Sequence, residues 1–142
     1  MRKVIVSSEP TPYTTSITTG IHGWTADEPK DLGGQDEGPT PYELFLSSVG
    51  ACTVITVQMY ASRKKWPLKG ITIELNHRRI KAEDCSECKT ESGQVSEITM
   101  HVSLSGDLTE EQRRRILEIA GKCPVKKTVE GEVIFRLNLE EN

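Results

Sequence analysis

Residues 40–66 read TPYELFLSSVGACTVITVQMYASRKKW, the one long apolar run in an otherwise polar chain. Its start is well marked for a helix. Thr40 suits the N-cap, Pro41 the first helical position, and Glu43 completes a capping box three residues on. Apolar side chains then follow nearly all round: Leu44, Phe45, Leu46, Val49, Ala51, Cys52, Val54, Ile55, Val57, Met59, Tyr60 and Ala61. A helix without a polar face is buried on all sides, so this one is expected at the centre, wrapped by the rest of the chain or by a second subunit. Arg63, Lys64 and Lys65 place cations where a helix C-terminus favours them, and Pro67 ends it. Glu43, the Ser and Thr residues and Gln58 interrupt the run, which argues against a transmembrane segment.

Outward from the helix, both flanks read as strands. Residues 2–6, 13–20 and 21–27 are short, Thr-rich and β-branched, with Pro10 and Pro12 between the first two. Residues 28–41, with Gly33-Gly34 and Gly38-Pro39, form a loop, which is either a functional segment or a flexible connector. After the helix, Ile71, Ile73 and Leu75 alternate with polar residues up to Ile80. Ile98, Met100, Val102 and Leu104 do the same. Thr109 and Gln112 make a second capping box, opening an amphipathic helix through Ala120 that Gly121 ends. Pro124 begins a further short helix ending at Gly131. Val133, Phe135, Leu137 and Leu139 alternate as a final strand. Strand runs separated from helix runs imply an α+β fold, and the length suits one domain over residues 1–142.

The net charge of −3 argues against nucleic acid as the main partner. The opening MRKVIVSSEP has too short an apolar run for a signal peptide. These features lead to the expectation of a soluble cytoplasmic protein with reduced thiols and no membrane partner. In that setting the four cysteines, Cys52, Cys85, Cys88 and Cys123, suggest redox or metal chemistry more than a disulfide framework.

Cys123 stands just before a helix N-terminus, with Lys122, Lys126 and Lys127 around it. Unpaired N–H groups and positive charge both lower a thiol pKa. Cys52 lies inside the central helix, where desolvation alone raises the pKa and makes a thiol inert. A break in the helix at Gly50 would free N–H groups beside it. Should the two thiols meet, one attacks an oxidant and becomes a sulfenic acid, and the other condenses with it to a disulfide. Cys85 and Cys88 have the spacing of half a zinc site, but no second CxxC exists, and His22, His77 and His101 are scattered. A redox role or an exposed loop are the other readings of that pair.

Two segments, GGQDEGPTPYELFLSSVGACTVITVQMYA (residues 33–61) and GKCPVKKTV (residues 121–129), resemble the signature segments of the OsmC/Ohr family, the osmotically inducible and organic-hydroperoxide-resistance proteins. The resemblance runs through most of the chain in order. It implies an α+β fold with an antiparallel sheet and a long buried central helix, built as an intertwined homodimer with active sites at the subunit interface. It implies that Cys52 corresponds to the peroxidatic cysteine and Cys123 to the resolving one. The implied activity is thiol-dependent reduction of organic hydroperoxides without metal, haem or other cofactor, with a dithiol reductant such as a lipoyl protein. Family members place Glu directly after the Pro that starts the helix; here Tyr42 stands there, and Glu43 comes one later. The nine-residue step from Glu43 to Cys52 is roughly 180° of helical rotation, so Glu43 suits the cap better than catalysis. The family's Arg from the N-terminal strands has no counterpart in residues 19–23, where Ile21 or His22 stands instead.

The leading expectation is therefore a hydroperoxide reductase using Cys52 and Cys123, with Tyr42 and Thr53 as supporting hydrogen-bond donors. The alternative is a non-enzymatic relative that binds a hydrophobic ligand on the same scaffold. A metal or redox-sensing module at Cys85 and Cys88 is the third reading.

Overall fold

In the computed structural model, which describes residues 2–139, contacts divide the chain into two compact units between Ser47 and Ser48. The first unit holds a three-stranded antiparallel sheet of Ile5–Ser8 (β1), Thr15–Thr19 (β2) and His22–Ala26 (β3), in the order β1-β2-β3. These are the three strands expected from the β-branched runs. In their register Ile5 faces Thr18 and Thr19 faces His22, so β2 and β3 are joined by a two-residue turn at Gly20 and Ile21.

Directly after β3 stands Asp27, only 1 % exposed, whose carboxylate organises the following loop. It accepts backbone N–H groups from Glu28 at 2.8 Å, Gln35 at 3.0 Å and Glu37 at 3.2 Å. Burial pushes its pKa up, yet these donors together hold it below the ordinary carboxylate value. Gly34 is required at the closest approach: a Cβ there would lie 1.8 Å from the Glu28 carbonyl oxygen. Of the two readings open for residues 28–41, the flexible connector is replaced by a segment folded around a buried charge.

Helix α1 is Pro41–Lys64, 24 residues, and its start is as expected. The Thr40 N–H donates to Glu43 Oε2 at 2.7 Å and the Glu43 N–H to Thr40 Oγ1 at 3.3 Å, the two halves of a capping box. The Thr40 N–H, and then its hydroxyl, keep the Glu43 carboxyl below its usual pKa. The helix runs unbroken through Gly50. Gly50 serves packing here rather than a break: a Cβ there would meet Leu75 Cδ1 at 2.9 Å. The chain by itself buries one side of the helix. Val49, Gly50, Thr53, Val57 and Ala61 form a buried stripe, while Ile55 and Met59 stay more than half exposed. By length and composition alone α1 could cross a membrane, a test that the core helix of a soluble protein also passes.

In the second unit Leu68–Lys81 (β4) pairs antiparallel with Gln94–Gly106 (β5), from Leu68 opposite Gly106 to Lys81 opposite Gln94. Alternate residues of both strands are half-buried, the period expected of a sheet with one covered face. Helices α2 (Glu110–Ala120) and α3 (Pro124–Glu130) follow. The α2 capping box is complete, with the Thr109 N–H on Gln112 Oε1 at 3.0 Å and the Gln112 N–H on Thr109 Oγ1 at 3.2 Å. Val57, Leu108, Ile116, Ile119 and Ala120 make the core here, with Trp66, Leu68, Ile71 and Leu104 packed against it. Full burial of each large aliphatic side chain favours the fold by about 1.5–3 kcal/mol.

The final strand expected at residues 133–139 does not form. Alternation makes a segment able to be a strand, but a strand exists only when paired, and no strand of this chain among the described residues pairs with it. Its apolar side chains stand in solvent, with Phe135 84 % and Leu137 and Leu139 each 93 % exposed.

Candidate active site

The two cysteines expected to cooperate do come together, and both lie in the second unit. Cys52 comes from the middle of α1, held by ordinary helix geometry; the Thr56 hydroxyl donates to its carbonyl at 2.7 Å. Cys123 is the N-cap of α3, with Pro124 at the first helical position. The N-cap role turns its sulfur toward the free N–H groups of the first turn, and the Lys126 N–H donates to Cys123 Sγ at 3.5 Å. Cys52 is half-buried, whereas Cys123 is fully buried.

Burial by itself raises the Cys123 pKa. Hydrogen bonds from the Cys52 thiol, the Lys126 N–H, the Thr53 hydroxyl and the Val125 N–H outweigh it, leaving the thiol more acidic than an ordinary cysteine. The direction is the one expected from the sequence, but the cause differs in part. Hydrogen-bond donors do the work, while the Lys126 ammonium is engaged in an ion pair with Glu130.

A third residue belongs to the site. Thr53 is fully buried on the α1 stripe, and its hydroxyl donates to the Val49 carbonyl at 2.8 Å. The protonated Cys123 thiol points at the same carbonyl oxygen, 3.8 Å away. A hydroxyl has one hydrogen, so Thr53 cannot serve Val49 and a Cys123 thiolate at once. With the thiol protonated, both groups share the Val49 oxygen; on ionisation the hydroxyl is free to turn to the sulfur. Thr53 was legible in the sequence as a supporting donor for Cys52; in the structure its hydroxyl donates to the Val49 carbonyl and is also among the donors that lower the Cys123 pKa. Val49 carried no sequence signal, because what it contributes is a backbone oxygen. A hollow of about 260 Å³ lies alongside, walled by Val49, Ile98, Met100 and Val129 with Lys126 and Glu130 at its polar side.

Tyr42 and Glu43 belong to the first unit: Glu43 is committed to its cap, and Tyr42 is exposed, with its ring edge-on to Phe45 at 6.5 Å between centroids. Cys85 and Cys88 are joined in a disulfide at the tip of the β4–β5 hairpin. For this pair it corrects the reduced-thiol expectation and the half-zinc-site reading, since sulfurs bonded to each other offer no thiolate to a metal; Cys52 and Cys123 are free thiols. Among the described residues no group of three or more His, Cys, Asp or Glu is placed to hold a metal ion.

The sequence profile of the OsmC-like protein family matches residues 34–138, which include both thiols of this site. The chain belongs to the OsmC-like family. Solved structures agree on the fold. An OsmC-like protein from Mycoplasma pneumoniae superposes with a TM-score of 0.73 at 19 % identity, covering 92 % of this chain and 88 % of its own. An organic hydroperoxide resistance protein OsmC from Legionella pneumophila gives 0.66 at 17 % identity over 92 % and 90 %. The organic hydroperoxide resistance protein OhrB of Bacillus subtilis gives 0.61 at 21 % identity over 92 % and 91 %. At these identities the likeness is one of fold. No protein of curated function matches the sequence.

Proposed function

We propose that this single OsmC-like domain is a thiol-dependent reductase of organic hydroperoxides, with Cys52 as the attacking thiol and Cys123 as the resolving one. The observation that carries the proposal is the hydrogen bond between the two thiols, with the acidified sulfur buried and its partner accessible. In the singly ionised pair Cys52 donates its proton to Cys123. Transfer of that proton makes Cys52 the thiolate and leaves Cys123 S–H directed at the Val49 carbonyl. This exchange supplies a nucleophile without the Glu and Arg of the family pattern. Cys52 sulfur attacks the distal peroxide oxygen and the O–O bond breaks. The leaving alkoxide takes the Cys123 proton, giving an alcohol and a Cys52 sulfenic acid. The Cys123 thiolate then attacks the Cys52 sulfur, a disulfide forms, and hydroxide leaves to be protonated as water. An external dithiol, such as a dihydrolipoyl group, returns two electrons and two protons.

The apolar-walled hollow beside Val49 suits an alkyl substituent on the peroxide. Exposed Ile55 and Met59 on α1, and the unpaired apolar segment at 133–139, suit a cytoplasmic homodimer in which a second copy covers them. Treatment with substoichiometric cumene hydroperoxide tests the reaction. Peptide mapping is expected to find a Cys52–Cys123 disulfide and one alcohol per disulfide. Survival of both thiols in the presence of consumed or unconsumed peroxide refutes the proposal and leaves hydrophobic-ligand binding in its place.

A further inference from the structure

We propose that Cys85 and Cys88 form a second, independent redox site: a reversible dithiol–disulfide couple that exchanges electrons with external dithiols at the tip of the β4–β5 hairpin. The pair sits where β4 and β5 have already finished pairing, at Lys81 opposite Gln94. Past that point the hairpin is closed by the Ala82 N–H on the Gly93 carbonyl at 2.9 Å. The disulfide is therefore not what holds the strands together. Its stabilising effect through chain entropy is also small, because that effect shrinks with loop length and this loop spans a sequence separation of only 3.

Backbone hydrogen bonds, as well as the disulfide, draw the two cysteines together. The Cys85 N–H donates to the Ala82 carbonyl at 3.0 Å and the Cys88 N–H to the Cys85 carbonyl at 3.3 Å. The second is the hydrogen bond of a β-turn, which holds the Cα atoms within 5.4 Å, inside disulfide range. A turn that pre-sets the thiols lets the bond open and close with little rearrangement. Ser86 and Glu87 between them are exposed and both cysteines are only half-buried, so an attacking thiolate can reach a sulfur from solvent.

The exchange balances as follows. A thiolate of the external dithiol attacks one sulfur of the pair, the Cys85–Cys88 bond breaks, and the other sulfur leaves and takes a proton. The second external thiol attacks the resulting mixed disulfide, and the first sulfur leaves and is protonated. The external dithiol is oxidised to its disulfide, and the chain gains two electrons and two protons.

The test uses the full chain carrying Cys52→Ser and Cys123→Ser, so the peroxidase reading can fail without affecting it. The protein is equilibrated in mixtures of reduced and oxidised dithiothreitol without denaturant, acid-quenched, alkylated and weighed. Two thiols per chain should appear and disappear together, reversibly, with a two-electron slope and unchanged circular dichroism. Peptide mapping of the unsubstituted chain gives the same readout should the double variant fold poorly. A pair that never oxidises, or a bond that opens only after unfolding, overturns the proposal. So does a loss in thermal midpoint of more than about 5 °C on reduction, which marks a structural staple. Stoichiometric zinc on the reduced chain, found by metal analysis, overturns it as well.

Discussion

The Cys123 thiol lies 3.8 Å from the Val49 carbonyl oxygen, a contact across 74 positions of sequence. The same oxygen takes the Thr53 hydroxyl at 2.8 Å. One backbone carbonyl of α1 thus holds both the proton of the buried thiol and the donor that replaces it when the proton leaves. Buried polar groups are matched in either protonation state, which lets the sulfur ionise in a place where desolvation opposes it.

Thr53→Val keeps the shape of the side chain and removes that donor. The Cys123 pKa is expected to rise, moving the acidic limb of the peroxidase pH profile upward and slowing turnover at neutral pH by up to about tenfold, the effect of one pKa unit. Thr53→Ser should restore the profile. A pH–rate series on the three proteins decides this, and an unmoved profile for Thr53→Val assigns the residue to packing alone.

Cys52→Ser is expected to abolish peroxide reduction. Cys123→Ser should instead consume one equivalent of peroxide more slowly, because the proton exchange is lost, and then stop with a sulfenic acid trapped by dimedone at Cys52. A first equivalent kept by Cys52→Ser and lost by Cys123→Ser points to Cys123 as the attacking sulfur.

Asp27 is expected to make the first unit lose stability in acid. Its folded pKa lies below the ordinary 3.8, so its contribution is fully present above the unfolded value and is lost as pH falls through the folded one. Asp27→Asn turns an acceptor of three N–H groups into an amide that also carries donors. The variant should melt lower at neutral pH and show a flatter fall in midpoint on acidification. Thermal scans from neutral into acid pH measure both.

Ile116 is fully buried in the core of the second unit. Ile116→Ala is expected to cost about 2–5 kcal/mol by chemical denaturation, through lost burial and the cavity left behind. Gly50→Ala is a finer probe. Overpacking against Leu75 costs on the order of 1–3 kcal/mol, and removing a mid-helix Gly returns about 1 kcal/mol. Because the Cβ meets the end of a flexible side chain, the net loss should stay under about 2 kcal/mol.

Much of the fold was legible because its signals are local. The capping boxes at Thr40 and Thr109, the stop at Gly121 and the Cys123-Pro124 helix start are each set by a few neighbouring residues, and all stand where the sequence puts them. The alternation of 71–75 and 98–104 marks β4 and β5, although their full length to Lys81 and from Gln94 comes from mutual pairing. The same period at 133–139 produces no strand, because alternation says which face is apolar and not what lies beside it. Asp27 escaped notice for a related reason: a single carboxylate before a loop has no pattern until the loop folds back on it.

For the site, the sequence by itself determined the chemistry available: a thiol in the middle of a long helix, another at a helix start, and a CxxC in a polar turn. The tertiary structure decided which groups act on which. It brought Cys52, Thr53 and the Val49 carbonyl to Cys123, left Glu43 in its cap, and tied Cys85 to Cys88. Residue type and near neighbours set intrinsic reactivity. Proton sharing between thiols and the burial that perturbs them depend on distances across the fold, and those exist only once the helices and sheet have packed.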